Sequence, residues 1–317
     1  MNLTGRSLLT LADYSRTEIE YLVDLSIRLK QEWQTQALRP RRLEGYTLAM
    51  IFEKLSTRTR SAFETAFGEE GGLPVFLSKQ DIHLGSKEDL ADTARVLGRM
   101  YDCIQFRGFS QATVEALAKW SGVPVYNGLT DDFHPTQALA DLMTLKECRG
   151  SLDGAHIAYV GDGRNNVARS LLVACARIGV TMSVGAPAEL SPDPAFVATC
   201  AAEAHRNGAR VDVTTDPVAA VRGADAVYTD VWVSMGEESE AARRAQILSP
   251  YRVTTDLMRS AGSDAVFLHC LPAVKGQEVT VDVFEGPASR VFDQAENRKH
   301  TIKAVLLSTL GRIDAQQ

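Results

Sequence analysis

The sequence predicts an α/β chain of two lobes, each a parallel sheet flanked by helices, with a C-terminal helix crossing back to the first lobe. Three observations carry this expectation. The chain has 317 residues, more than one ordinary domain, and a prior of roughly 100–200 residues per domain gives two. Short β-branched apolar runs alternate with longer stretches of helical period, the order of a parallel sheet covered on both faces. Polar clusters fall just beyond the predicted strand ends, where open parallel sheets hold their ligands.

Taken in order, the first lobe offers strands at 47–53, 74–77, 102–106 and 123–126. The second offers 156–161, 182–185, 211–214, 226–229 and 265–269. Helical periods lie between them, as in Leu171, Leu172, Ala174, Cys175 and Ile178. Such β-α-β units cross over with a right hand. Two glycines in Cys148-Arg149-Gly150-Ser151-Leu152-Asp153-Gly154 mark the seam. The expected domains are therefore 1–148 and 149–293, followed by a tail at 294–317. In that tail Ile302, Val305, Leu306 and Leu310 form one apolar stripe, the mark of a helix returning to the first lobe.

Composition narrows the function class. The chain is 45% hydrophobic and 23% charged, with nothing near the ~18 consecutive apolar residues of a membrane span. Its start lacks the basic-then-apolar order of a signal peptide. A net charge of −6 argues against a general nucleic-acid or anionic-membrane binder, so any basic site must be local. The five cysteines (Cys103, Cys148, Cys175, Cys200, Cys270) are scattered and lack metal-ligand spacing. The expectation is a soluble cytoplasmic protein with reduced thiols, no metal and no cofactor.

The strongest chemical signal is Ser56-Thr57-Arg58-Thr59-Arg60, which follows a strand and opens a helix. Hydroxyls, two guanidinium groups and the amides of a helix start make an anion cradle. The plainer alternative is a capped helix with a solvated basic turn; Ser61-Ala62-Phe63-Glu64 offers a capping box of its own. A second arginine ends a strand in Gln105-Phe106-Arg107-Gly108. His134-Pro135-Thr136-Gln137 opens another helix with proline at the favoured first position. His134 either caps that helix or donates to a carbonyl oxygen on which charge builds.

In the second lobe, Gly161-Asp162-Gly163-Arg164-Asn165-Asn166 invites a dinucleotide reading and fails it. The third glycine position is Asn166, and no acidic residue closes the next strand. A tight strand-to-helix turn projecting amide side chains is the better reading. Asp230-Val231-Trp232-Val233-Ser234-Met235-Gly236 follows a further strand. His269-Cys270-Leu271-Pro272 ends the last one, with a thiol and a constrained X-Pro bond.

Together these segments, with Glu296-Asn297-Arg298, resemble the aspartate/ornithine carbamoyltransferase family, in the same order and across nearly the whole chain. The resemblance implies that Ser56, Thr57, Arg58 and Thr59 bind the phosphate of carbamoyl phosphate, with Arg107 and His134 on its carbonyl side. Gln137 and the backbone carbonyls of Cys270 and Leu271 would hold the carbamoyl amino group, and Arg298 would be the last donor-binding arginine. His83, in Gln80-Asp81-Ile82-His83, resembles a position that contacts phosphate from a neighbouring subunit, which implies a homotrimer or a multiple of trimers. Asn166, Asp230, Ser234 and Met235 match the positions that grip the amino-acid end of L-ornithine. A cis Leu271–Pro272 bond is implied as well. One departure is Val274-Lys275, where many relatives place histidine and arginine.

The activity implied is carbamoyl transfer to the side-chain amine of L-ornithine, giving L-citrulline and phosphate. Arg58, Thr59, Arg107, His134 and Cys270 are the residues expected nearest the chemistry. A dicarboxylate acceptor such as aspartate needs cationic ligands, whereas Asp230 suits an ammonium group. Putrescine would leave a carboxylate-binding role for Asn166 and Ser234 unused; lysine and N-acetylornithine are the other amine acceptors considered. A catalytically silent paralogue would carry a broken donor motif, and a nicotinamide oxidoreductase an intact glycine fingerprint. Neither mark is present.

Overall fold

The structure, a computed structural model, describes residues 1–36, 39–80, 82, 88–233 and 238–313. It divides into two compact units, Met1–Ala140 with the chain from Glu296 onward, and Asp141–Ala295.

Unit 1 holds β1 (Thr47–Phe52), β2 (Leu73–Ser78), β3 (Cys103–Arg107) and β4 (Val125–Leu129), all parallel, in the order β2-β1-β3-β4. Its helices are α1 (Arg16–Thr35), α2 (Thr57–Glu69), α3 (Leu90–Met100), α4 (Gln111–Ser121) and the opening turns of α5 (Pro135–Arg149). One face of the sheet, through Ala49, Ile51, Ile104, Phe106 and Val125, packs on Ala94, Leu97, Val114 and Leu117 of α3 and α4. The chain order reverses between β1 and β3, and that switch point is where an open sheet leaves a crevice at its carboxyl edge.

Unit 2 repeats the plan with five parallel strands: β5 (His156–Val160), β6 (Thr181–Gly185), β7 (Val211–Thr214), β8 (Ala226–Tyr228) and β9 (Val266–Leu268). Their order is β7-β6-β5-β8-β9. Helices α6 (Asn166–Ile178), α7 (Pro194–Arg206), α8 (Pro217–Val221), α9 (Ala241–Leu248), α10 (Thr255–Arg259) and α11 (Val281–Phe284) surround it. Here the switch falls between β5 and β8. The predicted runs are thus all strands, with ends displaced by a few residues. The largest shift is at 123–126, where pairing starts only at Val125, after Pro124, which has no N–H for the ladder.

The last helix, α12 (Val291–Thr309), enters unit 1 at Glu296. The sequence suggested one apolar stripe, yet 301–309 is buried on every side, Lys303 included. Charge pairing reconciles this. Lys303 Nζ lies 3.0 Å from Glu69 Oε2 and 3.4 Å from Glu70 Oε1, while Lys299 Nζ lies 3.2 Å from Glu69 Oε1. Tyr126 Oη and Thr309 Oγ1 meet at 2.7 Å, and Lys30 Nζ donates to Asn297 Oδ1 at 2.8 Å. The helix is therefore fixed on unit 1 at Asn297 and at Thr309, and so is Arg298 between them.

Candidate active site

In unit 1 the cluster gathers at the carboxyl edge of the sheet. Past β1 the chain reaches Ser56, whose Oγ accepts from Thr59 N at 3.0 Å and caps α2. The helix therefore starts at Thr57, so Ser61–Glu64 lies inside it and is not a cap. First-turn amides lack acceptors within a helix, and they give this end a positive field. Arg60 turns away from the cradle: its Nε pairs with Glu64 Oε1 at 2.9 Å and its guanidinium lies 3.8 Å from the Phe76 ring centroid. One of the two guanidinium groups expected there is thus spent on the helix surface.

Its place is taken from elsewhere in the fold. Arg107 ends β3, buried, where the β3–β4 register shifts between Phe106 and Arg107. Such an irregularity re-aims a strand-end side chain. Arg107 Nη1 donates to Thr59 Oγ1 at 3.1 Å, and Arg298 Nη2 donates to the same oxygen at 3.0 Å and to Thr136 Oγ1 at 3.4 Å. His134 Nδ1 lies 3.3 Å from Thr136 Oγ1, and His134 and Gln137 are both buried where α5 begins. Burial, then the charges of Arg298, Arg107 and Arg58, hold the His134 imidazole well below the usual histidine range. It is neutral at pH 7, the form that can donate an N–H to a carbonyl oxygen without carrying a charge of its own. Guanidinium groups this close, largely out of water, suit a compact dianion far better than they suit one another.

Unit 2 presents a second set at its own switch point. After β5, Asn165 caps α6, its Oδ1 accepting from Ala168 N at 2.8 Å. Its Nδ2 donates to Tyr159 Oη at 2.7 Å and to Asp230 Oδ2 at 3.3 Å. Asn166 is the first residue of α6 and half-buried. Asp230, beyond β8, accepts through Oδ1 from Val231 N at 2.8 Å and from Cys270 Sγ at 3.1 Å. Burial raises its carboxyl above the ordinary aspartate range, an effect His269 and the Cys270 bond partly offset.

Cys270 follows β9 and leads into Leu271, at φ 60°, and a cis Leu271–Pro272 bond. The turn is braced from within, because Leu271 N donates to His269 Nδ1 at 2.9 Å and His269 Nε2 lies 3.3 Å from Glu278 Oε1. Asp230, His269 and Cys270 bring an oxygen, a nitrogen and a sulfur within 4.8 Å of one another. That donor set is of a kind zinc accepts, but both histidine nitrogens already face protein groups. The turn after β5 is anchored by a buried ion pair of Arg244 Nη1 and Asp162 Oδ2 at 2.5 Å, and Arg244 also donates to Trp232 O at 3.2 Å. At the departure Val274-Lys275, Lys275 pairs with Glu285 and lies 4.5 Å from the Phe284 ring centroid.

Ser56, Arg58, Thr59, Arg107, His134, Gln137 and Arg298 thus belong to unit 1, with Thr57 exposed at its helix start; Asn166, Asp230, Cys270 and Leu271 belong to unit 2. His83, Ser234 and Met235 lie outside the described residues. Thr136 and Asn165 were not singled out beforehand. Thr136 sits within the His134–Gln137 segment and lies between His134 and Arg298. Asn165 was legible as an N-cap, had the helix start been placed at the following asparagine.

Known proteins match this chain over nearly its whole length. The carbamoyl-P binding domain model of aspartate/ornithine carbamoyltransferases matches residues 6–147, and the Asp/Orn binding domain model matches 153–309. An ornithine carbamoyltransferase of Pseudothermotoga lettingae is 60% identical over 311 residues, covering 98% of this chain and 99% of that protein. A catabolic ornithine carbamoyltransferase of Bacillus licheniformis is 51% identical, with 99% of each covered. The solved structure of the ornithine carbamoyltransferase from Pyrococcus furiosus superposes with a TM-score of 0.95 at 47% identity, covering 99% of this chain and 100% of that one.

Proposed function

The chain belongs to the aspartate/ornithine carbamoyltransferase family, and from that premise we propose how its residues move a carbamoyl group from carbamoyl phosphate to the side-chain amine of L-ornithine, releasing L-citrulline and phosphate. The observation that carries the reading is the convergence of Arg107 and Arg298 on the Thr59 hydroxyl, beside the capped start of α2.

Ser56, Thr57, Arg58 and Thr59 take the phosphate oxygens, with Arg107 and Arg298 turning from Thr59 to share the charge. Neutral His134 donates to the carbamoyl oxygen, and Gln137 with the carbonyls of Cys270 and Leu271 accepts from the carbamoyl N–H groups. Asp230 pairs with the α-ammonium of ornithine, and Asn166, Ser234 and Met235 hold its amino-acid end. The neutral δ-amine attacks the carbonyl carbon. The resulting oxyanion is met by the His134 N–H and the Arg107 guanidinium, the C–O bond to phosphate breaks, and the departing phosphate takes the proton the amine sheds.

A lysine-like amine has a pKa of ~10.4, so making its neutral form at pH 7 costs about 4–5 kcal/mol. Turnover at subsaturating ornithine is therefore expected to climb from pH 6 to 9. A flat profile in that range, with chemistry shown to be rate-limiting, contradicts the mechanism.

Cys270 shapes the acceptor side through Asp230 and forms no covalent intermediate. Cys270→Ala should raise KM for ornithine about 3–10-fold, the loss of one hydrogen bond to a charged group discounted for a thiol donor, and leave transfer intact. Mass spectrometry of quenched enzyme tests the same point: a carbamoylated Cys270 would overturn it.

The assembly proposed is a cytoplasmic homotrimer or a multiple of trimers, with His83 reaching the phosphate of a neighbouring subunit. All five cysteines are free thiols, in keeping with a reducing compartment.

The deciding experiment offers carbamoyl phosphate with ornithine, lysine, putrescine, N-acetylornithine and aspartate in turn and identifies each ureido product. Citrulline should dominate. Preference for any other acceptor overturns the assignment of Asp230 and Asn166.

A further inference from the structure

Gln105 stands two residues before Arg107, on the same face of β3, and is completely buried. Among the described residues, neither its Oε1 nor its Nε2 finds a hydrogen-bond partner. A carboxamide buried with both ends unmatched weakens a fold, and an apolar side chain of the same shape would not. The residue is thus poorly explained as core filling.

Gly128 supplies an independent observation beside it. Along β4 it is the extra residue of the irregular pairing, since Phe106 pairs with Asn127 and Arg107 with Leu129. Its backbone is outside the left-handed region, so conformation does not demand glycine there. Space does. A Cβ at Gly128 would stand 2.4 Å from Gln105 Nε2, 3.0 Å from Thr59 Cγ2 and 3.2 Å from the Phe106 carbonyl oxygen. The strand backbone is pressed into a gap whose walls are the idle carboxamide and the one threonine on which Arg107 and Arg298 converge.

We propose that Gln105 is a positioning residue of the donor site. When the two guanidinium groups leave the Thr59 hydroxyl for the donor phosphate, the Gln105 carboxamide replaces them and keeps that hydroxyl facing the carbamoyl group. This inference rests on the reading that unit 1 binds carbamoyl phosphate.

The test uses the full chain and two substitutions. Gln105→Met keeps shape and removes polarity. Gly128→Ala leaves Gln105 in place but pushes its flexible end aside. Each should raise KM for carbamoyl phosphate about tenfold, the equivalent of one lost hydrogen bond, with KM for ornithine unchanged. Gln105→Met should melt at the same temperature as wild type or higher without donor, and the donor-induced rise in Tm should shrink. The double variant should be no worse than the weaker single one, because both act on the same group.

Donor KM and kcat within twofold of wild type in either variant overturn the proposal. So does a Gln105→Met protein whose Tm falls in step with its activity. A wild-type chain that takes up no carbamoyl phosphate would instead refute the underlying reading before any variant is compared.

Discussion

Arg107→Met is expected to slow turnover by about 10²–10³-fold, the usual cost of removing one preorganised donor from a charge-developing site, while leaving the melting temperature unchanged or higher. The two halves of this expectation have one cause. Arg107 is buried among the charges of Arg58 and Arg298 and beside a histidine that burial, and then these charges, hold neutral. Without an anion they repel, so removing one relieves the folded chain as it disables the reaction. Methionine fills much of the vacated volume and avoids a cavity penalty. Arg58→Ala should act in the same direction on turnover. Steady-state kinetics and thermal melting of the same preparation check both halves. Activity lost together with several degrees of Tm would mean that Arg107 is a structural residue.

Asp230→Asn should raise KM for ornithine about 100-fold, or ~2.7 kcal/mol, and leave carbamoyl phosphate binding as it was. Asp230 is buried and already engaged by Asn165, Cys270 and the Val231 amide. An asparagine keeps the shape of the side chain but removes the charge that meets the ammonium group and turns one of the two accepting oxygens into a donor. An ammonium left unpaired in a partly dry pocket loses far more than one neutral hydrogen bond.

The sign of a pH effect follows from the raised carboxyl. As pH falls, Asp230 takes up its proton earlier than an ordinary aspartate would, so ornithine affinity should weaken on the acid side in wild type. That component should be absent in Asp230→Asn. Equal acid-side slopes in the two proteins would show that another group grips the ammonium.

Much of this was legible in the sequence because the signals were local. Strands β1 to β9 announce themselves as short apolar runs, and Ser56–Arg60 reads as the opening of a helix from its neighbours alone. The compact units divide inside α5 and α12 rather than at the glycines of 148–154, since a helix carries no mark of where contacts change hands. What escaped was decided by tertiary packing. Nothing near Arg60 tells it from Arg58, because the helix phase sends one to Glu64 and Phe76 and the other toward His134. Gln105 reads as one polar residue in a strand; its significance lies in Gly128 and Thr59, distant in sequence. The single stripe expected on α12 hid a stretch, 301–309, that is buried on every side, because Lys303 is admitted to the interior by Glu69 and Glu70 from α2 and its C-terminal cap.

Calorimetric titration of the purified chain with carbamoyl phosphate, no acceptor present, reaches the core of the mechanism most directly. Saturable uptake of one donor per chain is expected, weakened at least tenfold by Arg298→Met, since a charge-assisted contact to phosphate is worth about 1.5–3 kcal/mol. No uptake by the wild-type chain, or equal affinity in the variant, would contradict the claim that these guanidinium groups receive the leaving phosphate.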